Sequence, residues 1–163
     1  MAVQSKAITG SGNRRKSGRK DLSRFFHEII DSVGVGIYIV EEGALAYVSP
    51  LCRKLTGHSE AELIGRNPLD LVHPDDRETV RQSAIRIFKG QSAEPSYEYR
   101  LIRKDGQALW ILETISSVAR RGRRAALGSC MDITERKAIE HSLVQNEEKY
   151  RSVLENIEDG YAE

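Results

Sequence analysis

The apolar positions of this chain change period along its length, and each change predicts an element. Leu22, Phe25, Phe26, Ile29, Ile30 and Val33 recur at spacings of three and four, which places them on one face of a helix. Asp21 is placed to cap its start, and Gly34 and Gly36 to end it. Ile37-Tyr38-Ile39-Val40 and Ala44-Leu45-Ala46-Tyr47-Val48 flank the turn Glu41-Glu42-Gly43. Two short β-rich runs across a glycine-containing turn read as a hairpin.

From Ser49-Pro50 the pattern breaks into short helical pieces, Leu51–Leu55 and Ser59–Leu63, with Ser59 and Glu62 in capping-box spacing. Pro68 and Pro74 break up the next stretch, leaving Leu69–Val72 at most one turn. Asp75 or Asp76 then caps a longer helix with the stripe Val80, Ala84, Ile85, Ile87 and Phe88, stopped by Gly90.

The next apolar pattern alternates. Tyr97, Tyr99 and Leu101 are interleaved with Glu98 and Arg100, which predicts a half-buried strand. Lys104-Asp105-Gly106-Gln107 is the strongest hairpin turn of the chain. Strands over Leu109–Ala119 and Ala125–Asp132 come next, joined by a basic turn at Arg120–Arg124. Two strands, several short helices, a connecting helix and three strands make an α+β domain of about 100 residues. Its helices must pack on one face of the sheet to cover the apolar side, with a pocket where they do not fill the space.

Composition adds an asymmetry. Residues 1–20 hold six of the 25 lysines and arginines and no acid, so the remainder is net negative. This segment is also rich in Gly and Ser and lacks aromatic residues, which predicts a disordered, solvated leader. The first ten residues contain no apolar signal-peptide core, and no apolar run reaches bilayer length. The expected compartment is the cytoplasm. Cys52 and Cys130 have no Cys-x-x-Cys partner and are expected to be reduced. For Cys52, Arg53, Lys54 and a helix start at Pro50 allow a redox role, but an inert buried thiol is the commoner outcome. The four histidines have no metal-ligand spacing, so no metal site is expected.

Four segments in order carry a family resemblance: Gly65-Arg66-Asn67-Pro68; Leu71-Val72-His73-Pro74-Asp75-Asp76-Arg77; Tyr97-Glu98-Tyr99-Arg100-Leu101-Ile102-Arg103-Lys104-Asp105-Gly106; and Asp132-Ile133-Thr134-Glu135-Arg136-Lys137. Together they resemble a PAS domain with its C-terminal PAC extension, over residues 21–137. The resemblance implies a five-stranded antiparallel sheet with short helices on one face, flanked by N-terminal and C-terminal helices. It also implies a sensory and dimerisation module of a larger protein, most often a sensor histidine kinase of a two-component system or a cyclic-di-GMP enzyme. Tyr150–Tyr161 resembles the entry to a second PAS domain and echoes Phe25–Tyr38. The expected division is a leader over 1–20, the sensor over 21–137, an output helix over 138–150 and the start of a truncated second domain over 151–163. The chain then reads as a fragment.

The resemblance also bears on the ligand. Flavin-binding light sensors of the family carry a reactive cysteine after Gly-Arg-Asn, where this chain has Pro68, and a glutamine where it has Cys130. Heme-binding members place a histidine on the connecting helix. Residues 74–90 contain none, and His73 precedes a proline that forces extended geometry. Both cofactors are argued against, and the expected pocket is small or empty, its ligand unknown. Alternation puts Tyr97, Tyr99 and Leu101 on one face, with Trp110, Leu112 and Thr114 sharing another strand's face and Gly128 and Cys130 a third's. Tyr97, Tyr99, Trp110, Leu112, Thr114 and Cys130 are the pocket candidates. Weighed against them is the plain alternative of core aromatics and backbone-bonded hydroxyls.

Past the junction Asp132-Ile133-Thr134, residues Ile139, Leu143, Asn146, Tyr150, Val153 and Ile157 fall at alternating spacings of four and three, a short heptad seam with one polar position. Asp132, Thr134 and Asn146 are the expected transmission residues, and the partner is expected to be a second copy through the N-terminal and C-terminal helices. No phosphate loop or nucleophile pair occurs, and His141 lacks the surroundings of a phosphoacceptor, so no catalysis is expected of this segment. The alternatives are the sensor of a diguanylate cyclase or phosphodiesterase, or of a transcription regulator whose basic leader binds nucleic acid.

Overall fold

The computed structural model describes residues 25, 28, 29, 32–91, 96–120 and 122–160, with backbone alone from 155. The basic leader and most of the helix expected over 22–33 lie outside these residues. Five strands form one antiparallel sheet: β1 (Gly36–Glu41), β2 (Ala44–Val48), β3 (Ser96–Ile102), β4 (Ala108–Arg120) and β5 (Arg123–Asp132), in the order β2-β1-β5-β4-β3. Between β2 and β3 run α1 (Pro50–Thr56), α2 (Glu60–Leu63), two 3-10 turns (Pro68–Leu71 and Pro74–Asp76) and α3 (Arg77–Phe88). The last described element is α4 (Thr134–Gly160).

The local chemistry explains these elements. Ser49 caps α1 by accepting from the Cys52 amide, and Gly57 ends it in the left-handed conformation at φ 72°. Ser59 and Glu62 form the expected capping box of α2. Asp76 corrects one expectation. It stands at the N-cap of α3, but its side chain makes no capping bond; Arg100 on β3 takes the carboxylate instead.

Alternation sorts the sheet into two faces. Tyr99, Leu101, Leu109, Ile111 and Cys130 face the helices and pack with Leu45, Val48, Cys52, Leu55, Leu63, Leu71, Val72 and Val80 in one core. On β2, Leu45 and Val48 both face inward although three positions apart. A shift of register opposite Ile39 and Val40 inserts one extra residue, Ala46, and turns both side chains to the same face.

Most family-type motif residues act as fasteners between these elements. Asp76 accepts two bonds from the Arg100 guanidinium, at 2.9 and 2.7 Å, and one from its amide at 2.9 Å. Arg77 Nε donates to the Val72 carbonyl, and the His73 amide to the Arg100 carbonyl. The Arg103 guanidinium bonds the free carbonyls of Lys54 and Leu55 at the C-terminal end of α1. No described helix is long and apolar enough to cross a membrane.

Candidate functional site

A cavity of about 840 Å³ lies between the inner face of the sheet and the helices. The cavity is larger than the small one expected: α1, α2 and the 3-10 turns are too short to cover the sheet completely. Its walls are mainly aliphatic, from Val40, Leu45, Val48, Leu63, Leu101 and Ile115, and exposed lining residues that include Glu42, Asn67, Arg81, Lys89 and Arg124 mark the mouth.

The polar part of the wall is built by register. Tyr97 on β3 stands opposite Glu113 on β4, Glu113 opposite Cys130 on β5, and Cys130 opposite Gly36 on β1. Two residues further along β4, Ile115 faces Gly128 and Gly128 faces Tyr38. The Tyr38 ring lies over Gly128: a β-carbon there would sit 2.1 Å from the ring's Cζ. Only glycine lets the phenol cross β5, and its hydroxyl donates to Glu113 Oε1.

Glu113 is 2% exposed. Burial raises its pKa to about 7, and the hydrogen bond from Tyr38 and the nearby phenols of Tyr97 and Tyr99 pull the other way. The same burial, beside a carboxylate, raises the pKa of each tyrosine. The Tyr97 and Tyr99 rings lie 6.0 Å apart. The Tyr97 hydroxyl is buried without a well-formed hydrogen bond, although it stands in the field of Glu113. No lysine, arginine or histidine among the described residues pairs with Glu113.

The candidates from sequence divide by face. Tyr97, Tyr99 and Cys130 line the cavity. Trp110, Leu112 and Thr114 do not. They alternate with Ile111, Glu113 and Ile115 and so point to the opposite side of β4. On that side Trp110 lies beneath two cations, Arg100 at 5.9 Å and Lys137 at 5.1 Å from the ring centroid. The inward-facing β4 positions are one residue away. Sequence reasoning misses Glu113 and Tyr38 altogether: a glutamate in a strand pattern reads as solvent-facing, and nothing local marks it as buried.

The two cysteines, 78 residues apart in sequence, meet in the cavity wall with their sulfurs 3.7 Å apart. A β-carbon on Gly36 would lie 2.7 and 2.8 Å from them, so the glycine makes room for the pair. Donation from Cys130 and then from Ser49 lowers the pKa of Cys52, while that bond and burial raise that of Cys130.

The closing motif joins this wall to the last helix. The Thr134 hydroxyl accepts from the Trp110 amide at 2.9 Å, and the Ile133 amide donates to the Trp110 carbonyl at 2.8 Å. Asp132 accepts from the Thr134 amide. Thr134 is thus the first residue of α4 and bonds β4 rather than capping its own helix. Ile133 is buried, and Arg136 and Lys137 both pair with Glu98 on β3.

This sheet order, the helices packed over one face and the motif residues that fasten them agree with the family match over residues 45–128, described as the PAS fold. The chain belongs to the PAS family. It is 34% identical over 78% of its length to the uncharacterized protein y4lL of Sinorhizobium fredii, and 25% identical over 72% to the sensor histidine kinase TmoS of Ectopseudomonas mendocina. It spans only 16% and 12% of those relatives. A crystal structure of a sensory box histidine kinase/response regulator from Burkholderia thailandensis superposes with a TM-score of 0.63 at 26% identity, covering 78% of this chain and 98% of that one. As a PAS domain the chain is a sensory domain of signalling proteins, a kind of module that is typically not itself catalytic.

Proposed function

We propose that this PAS domain senses a small molecule in its cavity and passes occupancy through Asp132-Ile133-Thr134 to α4, within a larger signalling protein, a sensor histidine kinase by preference. The observation that carries this reading is the pair of hydrogen bonds to the Trp110 backbone. Strand β4 holds Glu113 in the cavity, and three residues earlier the same strand is bonded on both its amide and its carbonyl by the start of α4. A shift of β4 on ligand binding is then a shift of the helix base, which is the differential contact that any signal requires. The similarity to TmoS supports a kinase parent.

The output is a parallel dimer through α4. Ile139, Leu143, Tyr150 and Val153 are 63%, 60%, 72% and 49% exposed in the single chain, an apolar seam at heptad spacing without a partner, with Asn146 as its polar position. Helix α4 runs unbroken through residues 150 and 151, so on this reading the stem leads directly into the segment that resembles the entry to a second PAS domain.

Sedimentation of the full chain, a chain ending at residue 137 and Asn146→Leu tests this. The reading expects a dimer that is lost on truncation and tightened by the leucine. A monomeric full chain, or a dimer indifferent to both changes, sinks it. The competing reading, a regulator that grips nucleic acid with residues 1–20, expects salt-sensitive DNA binding lost with that segment.

A further inference from the structure

An ionisable group at the floor of an apolar cavity has to be neutralised by something. Glu113 is buried against aliphatic walls with no cation among the described residues beside it, and a desolvated carboxylate without a counter-charge is strongly disfavoured. The groups that face it are phenols and thiols: Tyr38 from β1, Tyr97 and Tyr99 from β3, Cys130 from β5 and Cys52 from α1. A carboxylate and three phenol oxygens gathered at one point of the cavity wall are acceptors for the protons of a cationic ligand. An anionic ligand would meet the Glu113 carboxylate in a largely apolar cavity, where like charges repel. A wholly apolar ligand would leave the Tyr97 hydroxyl as it stands, buried without a well-formed bond. Arg81, Lys89 and Arg124 line the mouth, where solvent screens them, and Arg124 is engaged with the Phe88 carbonyl and ring.

We propose, resting on the reading of the cavity as the sensory site, that its ligand is a small amphiphile with an apolar body and a protonated amine, the ammonium seated against Glu113 among Tyr38, Tyr97 and Tyr99. The aliphatic walls take the body, and the ammonium supplies the missing counter-charge. Calorimetric titration of the full chain with a matched series (2-phenylethylamine, 2-phenylethanol and 3-phenylpropanoate) tests it. The amine binds about tenfold or more tighter than the alcohol, since charge-assisted hydrogen bonds are roughly twice as strong as neutral ones, and the carboxylate binds weakest. Glu113→Gln abolishes the amine's advantage over the alcohol. In the wild-type chain, amine affinity rises from pH 5.5 to 8 as Glu113 ionises, while the alcohol's does not; this measurement stands even if the variant fails to fold. Equal binding of amine and alcohol, an advantage that survives in the variant, or no binding of the amine overturns the ligand class. The sensory reading fails separately, if a bound ligand of any class leaves α4 unchanged.

The thiol pair carries a second inference on independent geometry. We infer that Cys52 and Cys130 close to a disulfide when a peroxide enters the cavity. Their sulfurs, 3.7 Å apart, need to approach by on the order of 2 Å to reach bonding distance. The Cys52 thiolate attacks one peroxide oxygen, breaking the O–O bond and leaving a sulfenic acid and, after protonation, water. The Cys130 sulfur then displaces the sulfenic hydroxyl as a second water. The two sulfurs are oxidised and the peroxide is reduced. Mass spectrometry of the folded chain after hydrogen peroxide treatment is expected to show the loss of two hydrogens and a linked Cys52–Cys130 peptide. Cys130→Ser stops at an oxygen adduct on Cys52. Two thiols still free after treatment, or oxidation beyond sulfenic acid without a linked peptide, overturns it.

Discussion

Tyr38 reaches Glu113 across a strand that lies between them. The two residues are on β1 and β4, separated by β5, and the phenol passes over Gly128 to donate to the carboxylate. This crossing makes Gly128→Ala a sharp test. The added methyl displaces the ring and leaves a buried acceptor short of a donor, which costs about 1–3 kcal/mol. Urea denaturation measures the loss. Ser129→Ala, the neighbouring position on the opposite face, changes stability by only a few tenths, about 0.5 kcal/mol at most.

Glu113 gives the chain a falling stability through neutral pH. Its folded pKa is raised to about 7 from an ordinary 4.5, so between those values the folded chain keeps a proton that the unfolded chain has released. Stability is therefore lost as pH rises across that window, by on the order of 3 kcal/mol in all. The difference between wild type and Glu113→Gln, followed by denaturant midpoints from pH 5 to 8, isolates this slope. A flat difference contradicts it.

The Asp76–Arg100 latch titrates in the opposite sense. The Arg100 guanidinium bonds hold the Asp76 pKa below its usual 3.8, so its contribution is present above that value and lost as pH falls through the lowered one. Asp76→Asn keeps the shape and removes the charge, and is expected to cost about 1–2 kcal/mol at pH 7, given partial exposure. Its cost vanishes once acid has protonated the carboxylate. A double-mutant cycle with Arg100→Met separates the pair energy from packing.

Thr134→Val tests the junction. The substitution keeps volume but removes the acceptor of the Trp110 amide. Hydrogen exchange should quicken at Trp110 and in the first turn of α4, with a stability loss of about 1 kcal/mol, while exchange at Leu45 and Val48 is unchanged. Unaltered exchange at Trp110 would show that the hydroxyl does not hold it.

The family motifs are readable because they are local. His73–Arg77, Arg103–Gly106 and Asp132–Lys137 each contain short-range bonds and turn residues that pattern can find, and they serve as latch, helix-end clamp and junction. The cavity chemistry is not readable, because it depends on cross-strand register. Shifting β4 by one residue exchanges Trp110, Leu112 and Thr114 for Ile111, Glu113 and Ile115. The first set carries no charge and the second contains a glutamate, so pattern alone favours the face that turns outward. Glu113 resembles a surface residue, and its burial among three tyrosines drawn from β1 and β3 exists only once the sheet is assembled.

By itself the sequence determined the element order, the α+β class and most caps and turns, because these follow from periodicity and from side chains bonding their own backbone, and its motifs carried the family resemblance. The tertiary structure alone decided which face of β4 meets the helices, that Cys52 and Cys130 touch, and that Tyr38 finds Glu113 over Gly128. The Tyr38–Glu113 and Cys52–Cys130 contacts join residues 75 and 78 positions apart. No local signal specifies them, and they exist only once the strands are in register and the short helices have left the cavity open.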